Sequence, residues 1–221
     1  MRLAELSKRS GVSPATIKYY LREGLVPPGR RISATQAEYD EEHLRRLRLA
    51  RALVQVGRVP VATAREVLAA VEDESVGRLS RLGTAVGALP HGPAPAEDDP
   101  CTGTARASAE EIQRLLGWPV IEDNPAHAML ISALAALLRL DYPADVAHLL
   151  PYGRAAAALA EHELSVVEEF EASTTQLEAA VALTVLYEPV LLSLRRLAQA
   201  AEAGRRYGED AGGFGGEGDA P

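Results

Sequence analysis

The chain has 221 residues, 47% hydrophobic and 5% aromatic, with 23 Lys/Arg against 31 Asp/Glu and a formal net charge of −8. That suits one moderate domain or two small ones. It gives no secretory leader, since the charged start runs into an amphipathic pattern, and the longest apolar run, 128–138, is too short to span a bilayer. The lone Cys101 excludes an internal disulfide and fits a reducing cytosol. The charge is not evenly spread: residues 1–60 carry 12 basic and 6 acidic residues, residues 61–221 carry 11 and 25. A basic footprint confined to the first part, with an acidic remainder that repels polyanions, points to a nucleic-acid partner met from one side only.

In chain order, the pattern predicts helices at 2–9 and 14–22 around a tight turn at Gly11. Ser13 is placed to cap the second helix, with Pro14 at its first position, where a missing N–H does no harm. Ile17, Tyr20 and Leu21 form an inward stripe. Ala15, Thr16, Lys18, Tyr19 and Arg22 are left on the other face, a mixture of small, hydroxyl and basic groups that suits a DNA major groove. An ordinary helical hairpin with a solvated basic face has the same local pattern. Further helices are predicted at 41–56, capped by Asp40 with Glu41 and Glu42 at its positive end, and at 61–72 after a turn at Gly57. Arg45, Arg46, Arg48 and Arg51 read as a solvated face. A short helix at 76–89 carries Val76, Leu79, Leu82, Val86 and Leu89 near heptad spacing, weakened by Gly77, Gly83 and Gly87.

Residues 90–107 are rich in Pro, Gly and acid and read as a linker or mobile loop. Helices then follow from Ser108 to Leu116, from Asn124-Pro125 to Leu140, and over 144–172 and 174–203, with Pro151 and Pro189 as breaks or kinks. The last carries an apolar stripe through Leu177, Val181, Thr184, Leu191, Leu194, Ala198 and Ala201, either core or a dimer seam. Residues 204–221 are Gly- and acid-rich and read as disordered. There is no internal repeat.

Over residues 1–72 the chain resembles the MerR family of bacterial transcription regulators. The resemblance lies in Ser13-Pro14-Ala15-Thr16-Ile17-Lys18-Tyr19-Tyr20, then Leu21-Arg22-Glu23-Gly24-Leu25-Val26-Pro27-Pro28, a return through Tyr39, Arg46-Leu47, Gly57 and Val67-Leu68. It implies a mainly α fold: an N-terminal winged helix-turn-helix with a small two-stranded wing between about 25 and 39, followed by an all-helical C-terminal domain. It also implies DNA contacts from Ser13, Thr16, Lys18, Tyr19, Tyr20, Arg22, Tyr39 and Arg46. Lys18 replaces a usual Arg and loses its fork. Ala37, within Thr35-Gln36-Ala37-Glu38-Tyr39, stands where the family has a wing arginine, and His43 replaces a common Asp. Arg30 and Arg31 are expected to supply the missing backbone contact.

The divisions expected are 1–72 for DNA binding, 73–89 for connection or dimerisation, 90–107 as linker, 108–203 as effector or dimerisation domain, and 204–221 as tail. The second half resembles no effector domain, so its chemistry is read bare. His127, His148 and His162 lie on separate helices, and a single cysteine builds no multi-thiolate site, so no metal or cofactor is expected. No phosphate loop, nucleophile elbow or carboxylate pair is present, and no enzyme activity is expected. Trp118, Tyr152, Glu163 and Tyr187 are the candidates for an effector pocket, against plain core packing or exposure.

The resemblance implies a cytoplasmic, nucleoid-associated homodimer on double-stranded promoter DNA, acting on RNA polymerase indirectly by distorting a promoter spacer. It would respond to a small-molecule effector and have no membrane partner. The alternative is a ligand-independent architectural protein or repressor whose helical half only dimerises.

Overall fold

The computed structural model describes residues 1–33, 36–171 and 173–208. The first pair of helices is α1 (Leu3–Ser10) and α2 (Pro14–Arg22). Gly11, at φ 66°, ends α1 in the left-handed region that favours glycine. The Ser13 hydroxyl then accepts the Thr16 N–H at 3.1 Å and starts α2. The wing is a two-stranded antiparallel sheet, β1 (Arg30–Arg31) and β2 (Ala37–Glu38), with Arg30 opposite Glu38 and Arg31 opposite Ala37.

A second pair follows. Helix α3 (Glu41–Arg51) opens on a reciprocal cap. Asp40 accepts the His43 N–H at 3.1 Å while the His43 ring turns back to the Asp40 N–H at 3.4 Å. His43, unusual on sequence grounds, is thus the partner that closes the cap. Helix α3 runs into a π-helical turn, Ala52–Val56, and after Gly57 come α4 (Val61–Glu72) and α5 (Arg78–Gly87). The second half contains α6 (Thr102–Leu115), α7 (Pro125–Arg139), α8 (Val146–Glu168) and α9 (Ser173–Tyr207). The chain is therefore mainly α, with a winged helix-turn-helix first and helices after.

The sequential division into domains does not describe the packing. The main core joins Leu6, Ile17, Leu25, Leu44, Leu47, Leu53 and Leu68 to Ala85 of α5 and to Leu177, Val181 and Val185 of α9. Helix α9 seats so closely that a Cβ on Gly57 would fall 2.0 Å from Val185 Cγ1. A smaller cluster, Ala105, Ala109, Ile131, Leu134, Ala135 and Ala144, holds α6 and α7 together.

Two expectations are corrected and one is narrowed: of the breaks or kinks expected at Pro151 and Pro189, breaks are excluded. The linker is shorter and is strapped down. Helix α6 begins at Thr102, its hydroxyl donates to the Ala96 carbonyl at 2.8 Å, Ser132 donates to the Pro93 carbonyl at 2.8 Å, and Arg139 pairs with Asp99. Pro151 and Pro189 lie inside α8 and α9 without ending them; each removes one intrahelical bond while the rest of the ladder continues. The tail expected from 204 is helical to Tyr207, and residues 209–221 lie outside the described residues.

Helix α9 is also longer in apolar extent than run length suggested. By length and composition alone, Thr175–Tyr207 would cross a membrane, yet its first half is core of the winged module.

Candidate nucleic-acid interface

Helix α2 faces as its pattern requires. Ile17 is 0% and Tyr20 2% exposed, while Ser13, Ala15, Lys18, Tyr19 and Arg22 are exposed and Thr16 is half-buried. At the start of the helix the Ser13 and Thr16 hydroxyls lie 2.9 Å apart. The Arg22 guanidinium sits 5.2 Å over the Tyr19 ring, which holds a cation beside a flat apolar face. The result is a row of hydroxyl, cation and aromatic groups on a helix fixed from behind.

Tyr20 and Tyr39 are not surface groups. Burial raises the Tyr20 phenol above its ordinary pKa. Tyr39 is 7% exposed, its N–H donates to the Met1 carbonyl at 2.8 Å, and its ring meets His43 edge-on at 5.4 Å. Both tyrosines brace the face; neither ring lies on it.

Arg46 is the clearest correction. Expected at the DNA backbone, it is 4% exposed. Its Nε donates to the Leu25 carbonyl at 3.0 Å, one terminal nitrogen lies 3.1 Å from Glu72, and the other lies 3.8 Å from Glu178 with no hydrogen-bond partner. Burial lowers its pKa and the two carboxylates oppose that. Arg45 completes the cluster, its Nε donating to Glu178 at 2.8 Å. Glu178 belongs to α9, 132 positions after Arg46, and no local signal marks it.

Arg48 and Arg51 are likewise not a merely solvated face. Arg48 donates to the Arg9 carbonyl at 3.1 Å, and Arg51 to the Gly11 carbonyl at 3.0 Å and the Ser10 carbonyl at 3.3 Å. They hold the negative end of α1 against α3. In the wing, Arg30 and Arg31 are both exposed. Arg30 is tied to Glu38 across the strand pair, which holds the Glu38 carboxyl below its ordinary pKa. Arg31 pairs with no carboxylate among the described residues.

The effector candidates lie on α8, on α9 and just after α6. Trp118 is 38% exposed after α6, Tyr152 lies 5.7 Å from the Arg195 guanidinium, and Tyr187 is half-buried on α9. Glu163 lines a cleft of about 220 Å³ between α5, α8 and α9, with Leu82, Val86, Val167 and Thr184. Tyr152 and Glu163 are separated by eleven residues of one helix, roughly 16 Å of rise. His127 is buried with Nδ1 2.7 Å from the Gln113 amide oxygen, and His148 pairs with Asp145. Among the described residues no three His, Cys, Asp or Glu gather as a metal site.

Two helix pairs, a wing and an outward α2 bearing hydroxyls and cations define a winged helix-turn-helix regulator of transcription. Residues 1–71 match the family described as MerR HTH family regulatory protein. A ZntR-homologue HTH-type transcriptional regulator of Haemophilus influenzae is 45% identical over 47 residues, which are 21% of this chain and 35% of that protein. AdhR, an HTH-type transcriptional regulator of Bacillus subtilis, is 40% identical over 45 residues, 20% of this chain and 32% of AdhR. The chain thus spans about a third of the curated relatives it matches. Over nearly its whole length it is similar to the crystal structure of SCO5550, a proposed transcriptional regulator from Streptomyces coelicolor A3(2). The identity is 52%, the TM-score 0.78, and the match covers 94% of this chain and 98% of that one. The chain belongs to the MerR family of helix-turn-helix regulatory proteins.

Proposed function

We propose that this protein binds double-stranded promoter DNA as a homodimer in the cytoplasm, with α2 of each copy in a major groove. One observation carries the reading: Ser13, Thr16, Lys18, Tyr19 and Arg22 stand on one accessible face of a helix whose Ile17 and Tyr20 are buried behind it. The wing adds Arg31 directly and Arg30 once Glu38 releases it. Binding then distorts the promoter spacer, and RNA polymerase is affected through the altered DNA. The deformation costs several kcal/mol, offset by phosphate contacts. A small-molecule signal acting through α8 and α9 sets which DNA shape is favoured.

The test is binding to duplex fragments from around its own gene over a range of salt. Affinity should fall steeply with salt, and Lys18→Ala should reduce the slope by roughly one unit per subunit without changing the melting temperature. Equal affinity for single strands would overturn the reading.

A second reading, a ligand-independent architectural factor or repressor, is favoured by the distance of Tyr152 from Glu163 along α8, roughly 16 Å, which keeps these two out of one small pocket. A thermal-shift screen of small molecules separates the two, because an effector stabilises the fold by mass action.

A further inference from the structure

We propose that the cleft between α5, α8 and α9 is the effector site, and that its ligand is a small organic ammonium ion: a protonated primary or secondary amine on a compact apolar body. The proposal rests on the first reading above and names the ligand's chemistry.

The cleft forms where three helices turn one stripe each toward a common space. Leu82 and Val86 lie one turn apart on α5, Glu163 and Val167 on α8, and Ala180 and Thr184 on α9. Stripes of this kind normally meet as core. Here about 220 Å³ stays open between them, because Ala160 and Ala180 are too short to fill the gap. Val167 and Ala180, the most buried of the lining residues, are 3% and 8% exposed.

Charge selects the ligand. Glu163 is the charged group in this lining, half-buried, and it makes no hydrogen bond or ion pair with any described residue. The neighbouring cation on α5, Arg81, is committed to the Val71 carbonyl at 2.8 Å. A carboxylate beside apolar walls, with no cation of its own, is complementary to a cationic ligand. Thr184 narrows the class. Its hydroxyl hydrogen goes to the Ala180 carbonyl at 2.9 Å, so what it offers the cleft is lone pairs. Both polar side chains are acceptors, and the ligand must bring the donors. A protonated amine brings them. A quaternary ammonium brings none, and among the described residues no aromatic ring lines the cleft to hold one by its face. The volume, about 220 Å³, is below the ~300–1,000 Å³ of pockets for drug-sized ligands, which limits the apolar body to a single ring or a short branched chain.

The position gives such a ligand leverage. Ala85, Val181 and Val185, next in sequence to the lining residues Val86, Ala180 and Thr184, are core of the winged module. A body wedged in the cleft presses on two helices whose other faces carry that core, and it acts on DNA affinity by favouring one spacing of them.

The test is isothermal titration calorimetry of the whole chain with 2-phenylethylamine, protonated at neutral pH, against the neutral 2-phenylethanol and the anionic 3-phenylpropionate. Duplex DNA binding is measured on the same samples with and without the amine. The amine should bind once per chain and about tenfold tighter than the alcohol, the difference that a charge-assisted hydrogen bond makes, with the acid weaker than either. Glu163→Gln should bring the amine down to the alcohol and leave the alcohol unchanged. Ala160→Leu, at an exposed position, should fill the cleft and lose both, and the exposed Glu161→Gln should change neither. Amine at a concentration that saturates the wild type should shift its DNA affinity and leave that of Glu163→Gln in place. An amine preference that survives Glu163→Gln, or equal binding of the three probes, would overturn the ligand class. No saturable amine binding, in a sample that still binds duplex DNA, would overturn the site and leave the promoter reading standing. Amine binding with the expected variant pattern and an unchanged DNA affinity would overturn the effector role. Failure of the unliganded wild type to bind duplex DNA would overturn the promoter reading, and the effector role with it.

Discussion

The two halves of α9 carry similar apolar stripes and have opposite surroundings. In the first half, Leu177, Val181 and Val185 are 1%, 0% and 5% exposed against the winged module, and Glu178 is clamped by Arg45. In the second, Val190, Leu194 and Leu197 carry the same kind of stripe and are about half to two-thirds exposed. A hydrophobic period states which face of a helix wants to leave water. It does not state what will cover that face. Here one helix shows both cases: its first half is covered by the winged module and tied there through Glu178, and its second half is exposed.

The largest expected effect lies at that clamp. Arg46→Ala leaves a buried site empty and the Leu25 carbonyl without its donor, and leaves buried Glu178 with the half-exposed Arg45 as its remaining partner. It should cost about 3–5 kcal/mol by denaturant unfolding, as loss of one partner of a buried ion pair does. The salt slope of DNA binding should not move, because Arg46 touches no phosphate; a lowered slope with unchanged stability would place it on the DNA instead.

Next is a direct contrast of the two halves. Leu177→Ala should cost about 2–5 kcal/mol, the range for a buried leucine. Leu197→Ala in dilute solution, where self-association is absent, should stay within about 0.5 kcal/mol. Equal costs would erase the distinction drawn here.

The surface that receives α9 depends on α3, and α3 on its cap. Asp40→Ala should cost about 1 kcal/mol. Hydrogen bonds from His43 hold the Asp40 carboxyl below its ordinary pKa in the folded chain. Its contribution is therefore present above the ordinary aspartate pKa and is lost as pH falls through the lower folded value. The variant should melt with a weaker dependence on acid than the wild type, and an unchanged acid limb would show that the cap does not titrate.

The smallest effect concerns the wing, which α9 does not reach. Glu38→Gln should leave the melting temperature unchanged, since an exposed ion pair contributes little. It should strengthen DNA binding at low salt by freeing Arg30, and a weakening would mean that Arg30 is better left tethered. Restoring a wing cation by Ala37→Arg should act in the same direction.

Much of the winged module was legible because its signals are local. Gly11, Ser13 and Pro14 set the boundaries of α1 and α2, Asp40 set the start of α3, and Gly57 ended the helical run at Val56. The outward face of α2 followed from spacing alone. The arginines of α3 were not legible: four in seven positions look like a solvated face, yet Arg46 is core, and Arg48 and Arg51 grip the carboxyl end of α1. Which of them turns inward depends on where Leu25, Gly11 and Glu178 lie in space.

By itself the sequence determined the helix-turn-helix, its capping chemistry, the outward side of α2 and the split between a basic start and an acidic remainder. These rest on interactions within a few residues or on composition, which the chain carries in one dimension. The tertiary structure decided that α9 returns across more than a hundred residues to complete the first core. It also decided that Arg46 faces Glu178 rather than phosphate, that the Pro-rich segment is strapped to α7, and that the second half of α9 is left uncovered. Each depends on which surfaces meet when the chain closes, and an apolar stripe or an arginine fits several such meetings equally well until the packing selects one.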